Sequence, residues 1–535
     1  GHSASDLDTA NSGLNKNYQV ASIVRDIQAT NPHVFYRTYT KYMGTDWNNP
    51  NQNGYNGVGF FNSLYNFNTR RFKWWMGITQ GTDSWSGYYP LKWQNLDTFL
   101  NIKYYLIDRS DVLLEPSQNG YRPNVPLDYE LNQSLSNENF LVYENNKDYL
   151  NFAYSFDKVS TYPYDSAISS GMGANSKYRV LHNTENILSR AFISEEDYLT
   201  LPEDIKSDLF LNNVLIDQSN RDMKELRSSS YQLRKFEYKN ANTDVAQNEP
   251  NSTAGIQRKA WNKLWWDSTG YGALNNLYKL FDEKQRVSTT NNSASYYVGM
   301  LTKKNISNPN QTAEEFFNDE ANKFNKDDSG ISIMVNSTYN YENRINVYLL
   351  GKNGKLLTFD NHGDNLIYSA NFLHFRELYT SEDVYAVVYR IRNGGAGGTL
   401  TTYAESYNDF KDRTDLLAEY PIENVNYVNS NKFTFTTNFP KHRFVVTNIA
   451  YEKGWNVFAN GERIPTYLTS GGLVGFVSEK GETSYSMEYS NDIAKFGEIF
   501  TIISFMTVLV SYAGMIYIEN ERNYRSFKVC FKRDN

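Results

Sequence analysis

Between Ile499 and Ile518 the chain runs for about twenty residues without a charged side chain. At 1.5 Å rise per residue a helix of that length is ~30 Å long, enough to cross the hydrocarbon of a bilayer. Glu519, Asn520, Glu521 and Arg522 close the run, and Arg525, Lys528, Lys532 and Arg533 follow. A basic flank marks the cytoplasmic side. The expected topology is therefore a single C-terminal span in the cell membrane, with the large preceding domain outside and the C-terminus cytoplasmic.

The rest of the chain has a different character. Mean hydropathy over the 535 residues is −0.63, so the part before the helix reads as soluble, with room for two or three domains. Aromatics reach 16%, with 43 Tyr, 31 Phe and 9 Trp. Such rings suit pleated, half-buried sheet surfaces, and they also suit contact with sugars. The net charge of −7 and the lack of a Lys/Arg stripe before the helix argue against nucleic acid as a partner. The single cysteine, Cys530, falls in the predicted cytoplasmic tail, so no disulfide is expected in the outer part. That usage, with the abundance of Asn, Tyr and Lys, fits a Gram-positive surface protein from an AT-rich genome. Gly1-His2-Ser3-Ala4-Ser5 has no basic n-region or apolar core. The chain is therefore expected to continue a longer membrane protein whose upstream helices direct translocation.

Periodicity divides the outer part into three. Residues 1–165 read as a mixed α/β domain. Val20, Ile23, Val24 and Ile27 recur at helical spacing within 17–30, and strands are expected at 34–40, 102–107, 140–144 and 152–156, with a short helix at 91–100. Residues 166–330 read as a helical, loop-rich insert, with helices at 183–192, 195–211 and 312–324 and a polar linker at 238–254. From 331 to 492 the period shortens to two, with strands at 344–350, 384–391, 433–437, 443–450, 455–459, 472–477 and 484–489. Short strands separated by Lys352-Asn353-Gly354-Lys355 and Asn460-Gly461 turns suggest an antiparallel β-sandwich. The fold class is α+β, completed by a transmembrane helix at 495–520 and a tail at 521–535.

The stretch Ala450-Tyr451-Glu452-Lys453-Gly454-Trp455-Asn456-Val457-Phe458-Ala459-Asn460-Gly461 leads to Gly472–Val477, Lys480-Gly481, Tyr485–Tyr489 and the apolar helix. That order resembles the C-terminal end of YfhO-type bacterial membrane proteins. Phe35-Tyr36-Arg37, Gly54–Val58 with Phe61-Asn62-Ser63, Leu100–Leu106 and Leu141–Asn145 are similar to exoplasmic motifs of that family. Residues 200–330 carry no such likeness. The resemblance implies a polytopic GT-C-type glycosyltransferase that moves sugars from polyprenyl-phosphate carriers onto wall polymers such as teichoic acids. It also implies a catalytic carboxylate in an early exoplasmic loop that this chain lacks. The chain would then bind the acceptor glycan or the lipid-linked sugar and pack against upstream transmembrane helices of its parent. A non-catalytic surface domain that binds wall glycan or scaffolds a membrane assembly is the alternative.

Candidate chemistry is sparse. Trp47, Trp74, Trp75, Trp85 and Trp93 cluster with Tyr55, Tyr65, Tyr88 and Tyr89 in the front part. They form either core or a sugar-stacking cleft in which Arg37, Asn56, Asn62 and Asp83 bond hydroxyls. Trp74, Trp75, Trp85, Tyr88, Asn56 and Arg37 are the substrate-binding candidates. Trp455, after a Gly turn, reads as a buried anchor. His362 and His374 near Asp360, Asp364 and Glu377 lack metal-ligand spacing, and Gly394–Gly398 lacks the Lys-Ser/Thr of a phosphate loop. No metal, cofactor or catalytic residue is expected. Lys495 and Glu498 stand where the helix enters the membrane, placed to snorkel or, for Lys495, to meet a lipid-linked phosphate.

Overall fold

The computed structural model describes residues 4–30, 32–41, 50, 53–58, 60–61, 66–76, 86–87, 93–109, 123–161, 183–212, 224–225, 234–237, 295–303, 313–325, 327–337, 345–361, 374–392, 400–490 and 492–531. It is a mixed α and β protein with several sheets and one apolar C-terminal helix.

The front sheet runs Arg37–Lys41, Ile102–Asp108, Phe140–Asn145, Tyr129–Leu131. Its first pair is parallel and the others antiparallel. Both faces are covered, which explains why Ile102–Asp108 reads as a nearly continuous apolar run. One face carries Tyr104, Leu106, Phe140 and Val142 against the helix Ala4–Thr30, whose Val20, Ile23, Val24 and Ile27 are the residues picked out by periodicity. The other carries Tyr105, Ile107, Leu141 and Tyr143 against Trp93, Leu96 and Phe99 of the segment holding helix Gln94–Phe99.

Two further sheets share one buried cluster in the C-terminal part. One is ordered Glu423–Asn429, Lys432–Phe439, Gly481–Tyr489, Trp455–Ala459, Glu462–Ile464. The other is ordered Tyr467–Thr469, Leu473–Val477, Phe444–Ala450, Ala153–Phe156. In Lys432–Phe439 the alternation is clean: Phe433, Phe435 and Phe439 point in with Trp455, Val457, Tyr485 and Met487, and meet Phe152, Val445, Val474 and Phe476. Trp455 is buried against Phe433 and Tyr489. The strand Ala153–Phe156, grouped by sequence with the front domain, instead pairs Phe156 with Phe444 and Tyr154 with Val446. The boundary drawn at residue 165 thus does not separate the sheets.

A second pair of sheets shares a buried cluster in the middle. Its sheets are ordered Lys224–Glu225, Leu400–Ser406, Ile331–Ser337, His374–Thr380 and Arg234–Glu237, Ser295–Thr302, Ala386–Arg392, Ile345–Leu350, Leu356–Asn361. Ile331, Ile333, Val335 and Leu378 of the first meet Leu301, Val347, Leu349 and Val387 of the second. Three strands of this pair, Lys224–Glu225, Arg234–Glu237 and Ser295–Thr302, come from the segment expected to be helical and loop-rich. Tyr and Val are residue types enriched in strands, and the backbone pairing of Ser295–Thr302 with Ala386–Arg392 decides the matter. The expected helix at 195–211 is two short ones, Glu195–Thr200 and Glu203–Asp208, interrupted at Pro202. The expected helix at 183–192 keeps only its first turn before the strand Ala191–Phe192. The polar linker at 238–254 lies outside the described residues.

The last helix, Asp492–Phe531, contains the one segment among the described residues long and apolar enough to cross a membrane, Ile499–Arg525, and its apolar side chains lie exposed. Three of its hydroxyls are satisfied without water. Thr501, Ser504 and Thr507 each donate to the carbonyl four residues back, at 2.7–2.8 Å.

Candidate functional site

Where the front sheet meets the C-terminal sheets, a cleft of about 240 Å³ opens. Its wall from the front sheet is Phe35, Tyr36, Asn101 and Lys103, the loop Asn145–Phe152 forms the opposite side, and Val425 closes one edge. Three amides are held in place by the backbone. Asn101 adopts φ 55, which Asn tolerates, and its Nδ2 donates to the Phe35 carbonyl at 2.6 Å. Asn145 accepts from the Lys147 N–H at 3.0 Å, and Asn151 donates to the Ile422 carbonyl at 2.7 Å. Asn146, Lys147 and Asp148 stand exposed at the mouth. Lys103 lies 3.6 Å from Glu144 and leans over the Tyr104 ring. Burial pushes the Tyr36 hydroxyl up to about 12, so it stays protonated and able to donate. Fixed amides, two lysines and ring edges make a polar binding surface. Among the described residues the lining holds one carboxylate, Asp148, so it lacks the paired acids of glycoside chemistry.

The sequence candidates fall in different places. Arg37 lies behind the cleft floor. Its Nη1 donates to the Leu100 carbonyl at 2.7 Å and its Nη2 to the Asn448 carbonyl at 2.9 Å, which ties the front sheet to the C-terminal one. Burial pulls its guanidinium down to about 10, and it remains charged at neutral pH. Asn56 accepts the Thr38 N–H at 2.9 Å through its carbonyl, and its side chain bonds the Tyr427 hydroxyl. Trp75 is a correction. It is only 4% exposed, edge-on to Phe192 at 5.0 Å, with Gly471 beneath it, so it offers no face to a sugar. A ring on the inward side of a short helix with no aliphatic neighbours of its own becomes core by recruiting them from elsewhere in the chain. Trp93 is likewise buried. Trp85, Tyr88, Trp47, Asn62 and Asp83 lie outside the described residues, as does the side chain of Trp74.

The cleft residues Asn101, Lys103 and Asn145–Asn151 were not singled out by residue type. A signal was nevertheless present. Three of the four front motifs that carry the resemblance, those beginning at Phe35, Leu100 and Leu141, converge on this cleft.

Comparison with known proteins addresses the other end of the chain. Residues 398–501 match the family model for the bacterial membrane protein YfhO. This C-terminal part is similar to the YfhO family. The match covers the strand Leu400–Ser406, the helix Tyr407–Glu419, the C-terminal sheets except Ala153–Phe156, and the start of the apolar helix. An uncharacterized YfhO protein of Bacillus subtilis (strain 168) is 25% identical over 118 residues, which is 22% of this chain and 13% of that protein. The matched stretch therefore represents a small share of the relative. Two cryo-EM structures of the mycobacterial arabinofuranosyltransferase AftD align at 11% identity and TM-score 0.12. They cover 30% and 27% of this chain and 13% and 11% of theirs, and at that score the likeness carries no weight.

Proposed function

We propose that this chain is the membrane-anchored outer part of a YfhO-type, glycosyltransferase-related protein, and that the cleft holds a glycan, either the wall-polymer acceptor or a lipid-linked sugar donor. The observation that carries this reading is the position and lining of the cleft. Asn426, next to Val425, pairs with Thr434, and Thr434 pairs with Ser486. Ser486 lies three residues before the strand end at Tyr489, so the cleft edge at Val425 stands about 10 Å along the strands and two strand spacings, about 10 Å, across from the root of the apolar helix, roughly 14 Å in all. A sugar held there would be close to the membrane surface. Fixed amides suit hydroxyl recognition, and Lys103 and Lys147 suit the phosphates of a teichoic-acid-type polymer or a lipid carrier. The cleft is read as binding and positioning the glycan, with bond-making assigned to groups outside it, as the resemblance to the family implies.

The basic residues after the span favour a cytoplasmic C-terminus. An impermeant thiol reagent should then leave Cys530 unlabelled in intact cells and label it after permeabilisation.

The binding reading is tested by titrating teichoic-acid fragments onto the full chain in nanodiscs. The triple variant Asn146→Ala, Lys147→Ala, Asp148→Ala changes only exposed loop positions. It should weaken binding at least ~5-fold, since two or three polar contacts of about 0.5–1.5 kcal/mol each are lost. Equal affinity of parent and variant, or no binding by either, overturns the assignment. Transfer from a polyprenyl-phosphate sugar by the purified chain would return catalysis to these residues.

A further inference from the structure

The strand Gly481–Tyr489 passes through Ser490 into the apolar helix, and the structure around that exit is latched together. The Ser490 N–H donates to the Gly454 carbonyl at 2.8 Å, and the Tyr489 hydroxyl donates to Glu452 Oε2 at 2.6 Å. Glu452 Oε1 accepts from Asn66 Nδ2 at 2.8 Å, and the Tyr451 carbonyl accepts from Asn68 Nδ2 at 2.8 Å. Asn66 and Asn68 flank Phe67, the first residue of the helix Phe67–Trp75. Gly472 fixes the contact, since at φ +153 a Cβ there would lie 2.1 Å from the Asn68 carbonyl oxygen. Two links of side-chain hydrogen bonds thus tie Phe67 to the root of the membrane helix. Phe67 is 60% exposed, and Lys453 beside the latch is exposed as well.

The spacing along the helix sets the height of this rim. Asp492 to Glu498 precede the apolar segment that begins at Ile499. Seven helical residues measure about 10 Å, against a headgroup layer of roughly 5–8 Å on each side. The rim therefore stands within a few ångströms of the headgroups, inside the reach of an aromatic or lysine side chain. A large exposed ring next to a cation is the combination that favours the membrane–water interface.

We propose that this rim docks on the bilayer surface, with Phe67 and Lys453 entering the headgroup layer, and so fixes the height of the glycan cleft above the membrane. The proposal rests on the span reading of Ile499–Arg525. Single cysteines are placed at Phe67, at Glu462 and at Val510 in a Cys530→Ser background of the full chain, each carrying an environment-sensitive fluorophore, in vesicles of phosphatidylglycerol and phosphatidylethanolamine. Glu462 follows the Asn460-Gly461 turn, near the Ser484 end of the sheet and ~17 Å from the exit. The Val510 probe should be quenched by a spin label deep in the acyl chains. The Phe67 probe should shift to the blue on reconstitution and lose most of its emission to a headgroup spin label, while the Glu462 probe does neither. A Phe67 probe that behaves like the Glu462 probe, beside a quenched Val510 probe, overturns the docking and leaves the span standing. An unquenched Val510 probe overturns both. Unchanged melting of Phe67→Cys, whose ring is exposed, confirms that the fold is intact in either case.

Discussion

The C-terminal pair of sheets closes over aromatic rings, whereas the middle pair closes over aliphatic chains and bears a cluster of buried charges where it meets the front region. In the first, Phe435 stacks on Tyr485 at 5.1 Å and meets Phe152 edge-on at 5.3 Å. In the second, Glu377 and Glu405 lie on strands that flank Ile331–Ser337, each 2% exposed. Arg413 bonds Glu405 at 2.5 Å and Asn95 at 3.2 Å. Glu377 accepts from the Ser332 hydroxyl at 2.5 Å and from the Gln94 N–H at 3.2 Å. Gln94 and Asn95 open the helix Gln94–Phe99, so these charges join the middle sheets to the front region. Apolar burial is tolerant of approximate fit, while buried charge demands each partner in place. One pair of sheets should therefore fail by cavity and the other by unpaired charge.

The largest effect is expected from the aromatic core. Phe435→Ala removes a ring that touches both sheets and should cost about 3–5 kcal/mol, read as loss of hydrogen-exchange protection across Lys432–Phe439 and Gly481–Tyr489. A cost near 1 kcal/mol would mean that the two sheets do not share this core.

Next comes the charge cluster. Arg413→Ala leaves Glu405 buried without its cation and should cost about 3 kcal/mol, whereas the paired change Arg413→Met with Glu405→Gln should recover most of that. If the double variant is as damaged as the single one, Arg413 acts through packing and the contrast with the aromatic core is lost.

Glu377 separates the two regions by pH. Burial, with Glu405 nearby, raises its carboxyl from 4.5 to about 7. A raised folded-state value means that the folded chain holds the proton more tightly than the unfolded one. The group's contribution is thus fully present below the unfolded value and is lost as pH rises through about 7. The loss amounts to roughly 3 kcal/mol. Protection of Gln94–Phe99 should fall between pH 5 and 8 in the parent and stay level in Glu377→Gln, with Lys432–Phe439 unaffected in both. The same slope in both proteins would assign the effect to another group.

The contrast also explains what could be read from the chain in advance. Phe433, Phe435 and Phe439 alternate with polar residues, and Val20, Ile23, Val24 and Ile27 repeat at helical spacing, so each element announces both its type and its buried face. The apolar helix needed only its length. Two strands of the middle sheets, at 344–350 and 384–391, were legible by their alternation, but their partners were hidden because they come from segments far apart in sequence, and because Glu377, Glu405 and Arg413 look like surface residues until the partner across the joint is known. The cleft was hidden for a related reason. Its amides are ordinary turn-forming asparagines whose meaning comes from convergence, while tryptophan, the conspicuous residue, went at Trp75 and Trp93 to the interior.

The smallest effect compares the same turn in both regions. Asn353-Gly354 in the middle and Asn460-Gly461 at the C-terminal end both place Asn and Gly at positive φ, 56 and 65 in one, 49 and 89 in the other. Alanine at either Asn meets the same backbone cost, on the order of 1 kcal/mol, because a Cβ disfavours the left-handed region. The side chains differ. Asn460 Oδ1 accepts the Ser484 N–H at 3.0 Å and so braces the neighbouring strand, while Asn353 is exposed at the tip of its turn. Asn460→Ala should therefore cost about 0.5–1.5 kcal/mol more than Asn353→Ala. Asn460→Gly, which relieves the backbone but still loses the brace, should retain that extra cost. Paired melts of the three variants in one detergent would show it. Equal losses for the two alanine variants would mean that the brace adds nothing and that the turns in the two regions are interchangeable.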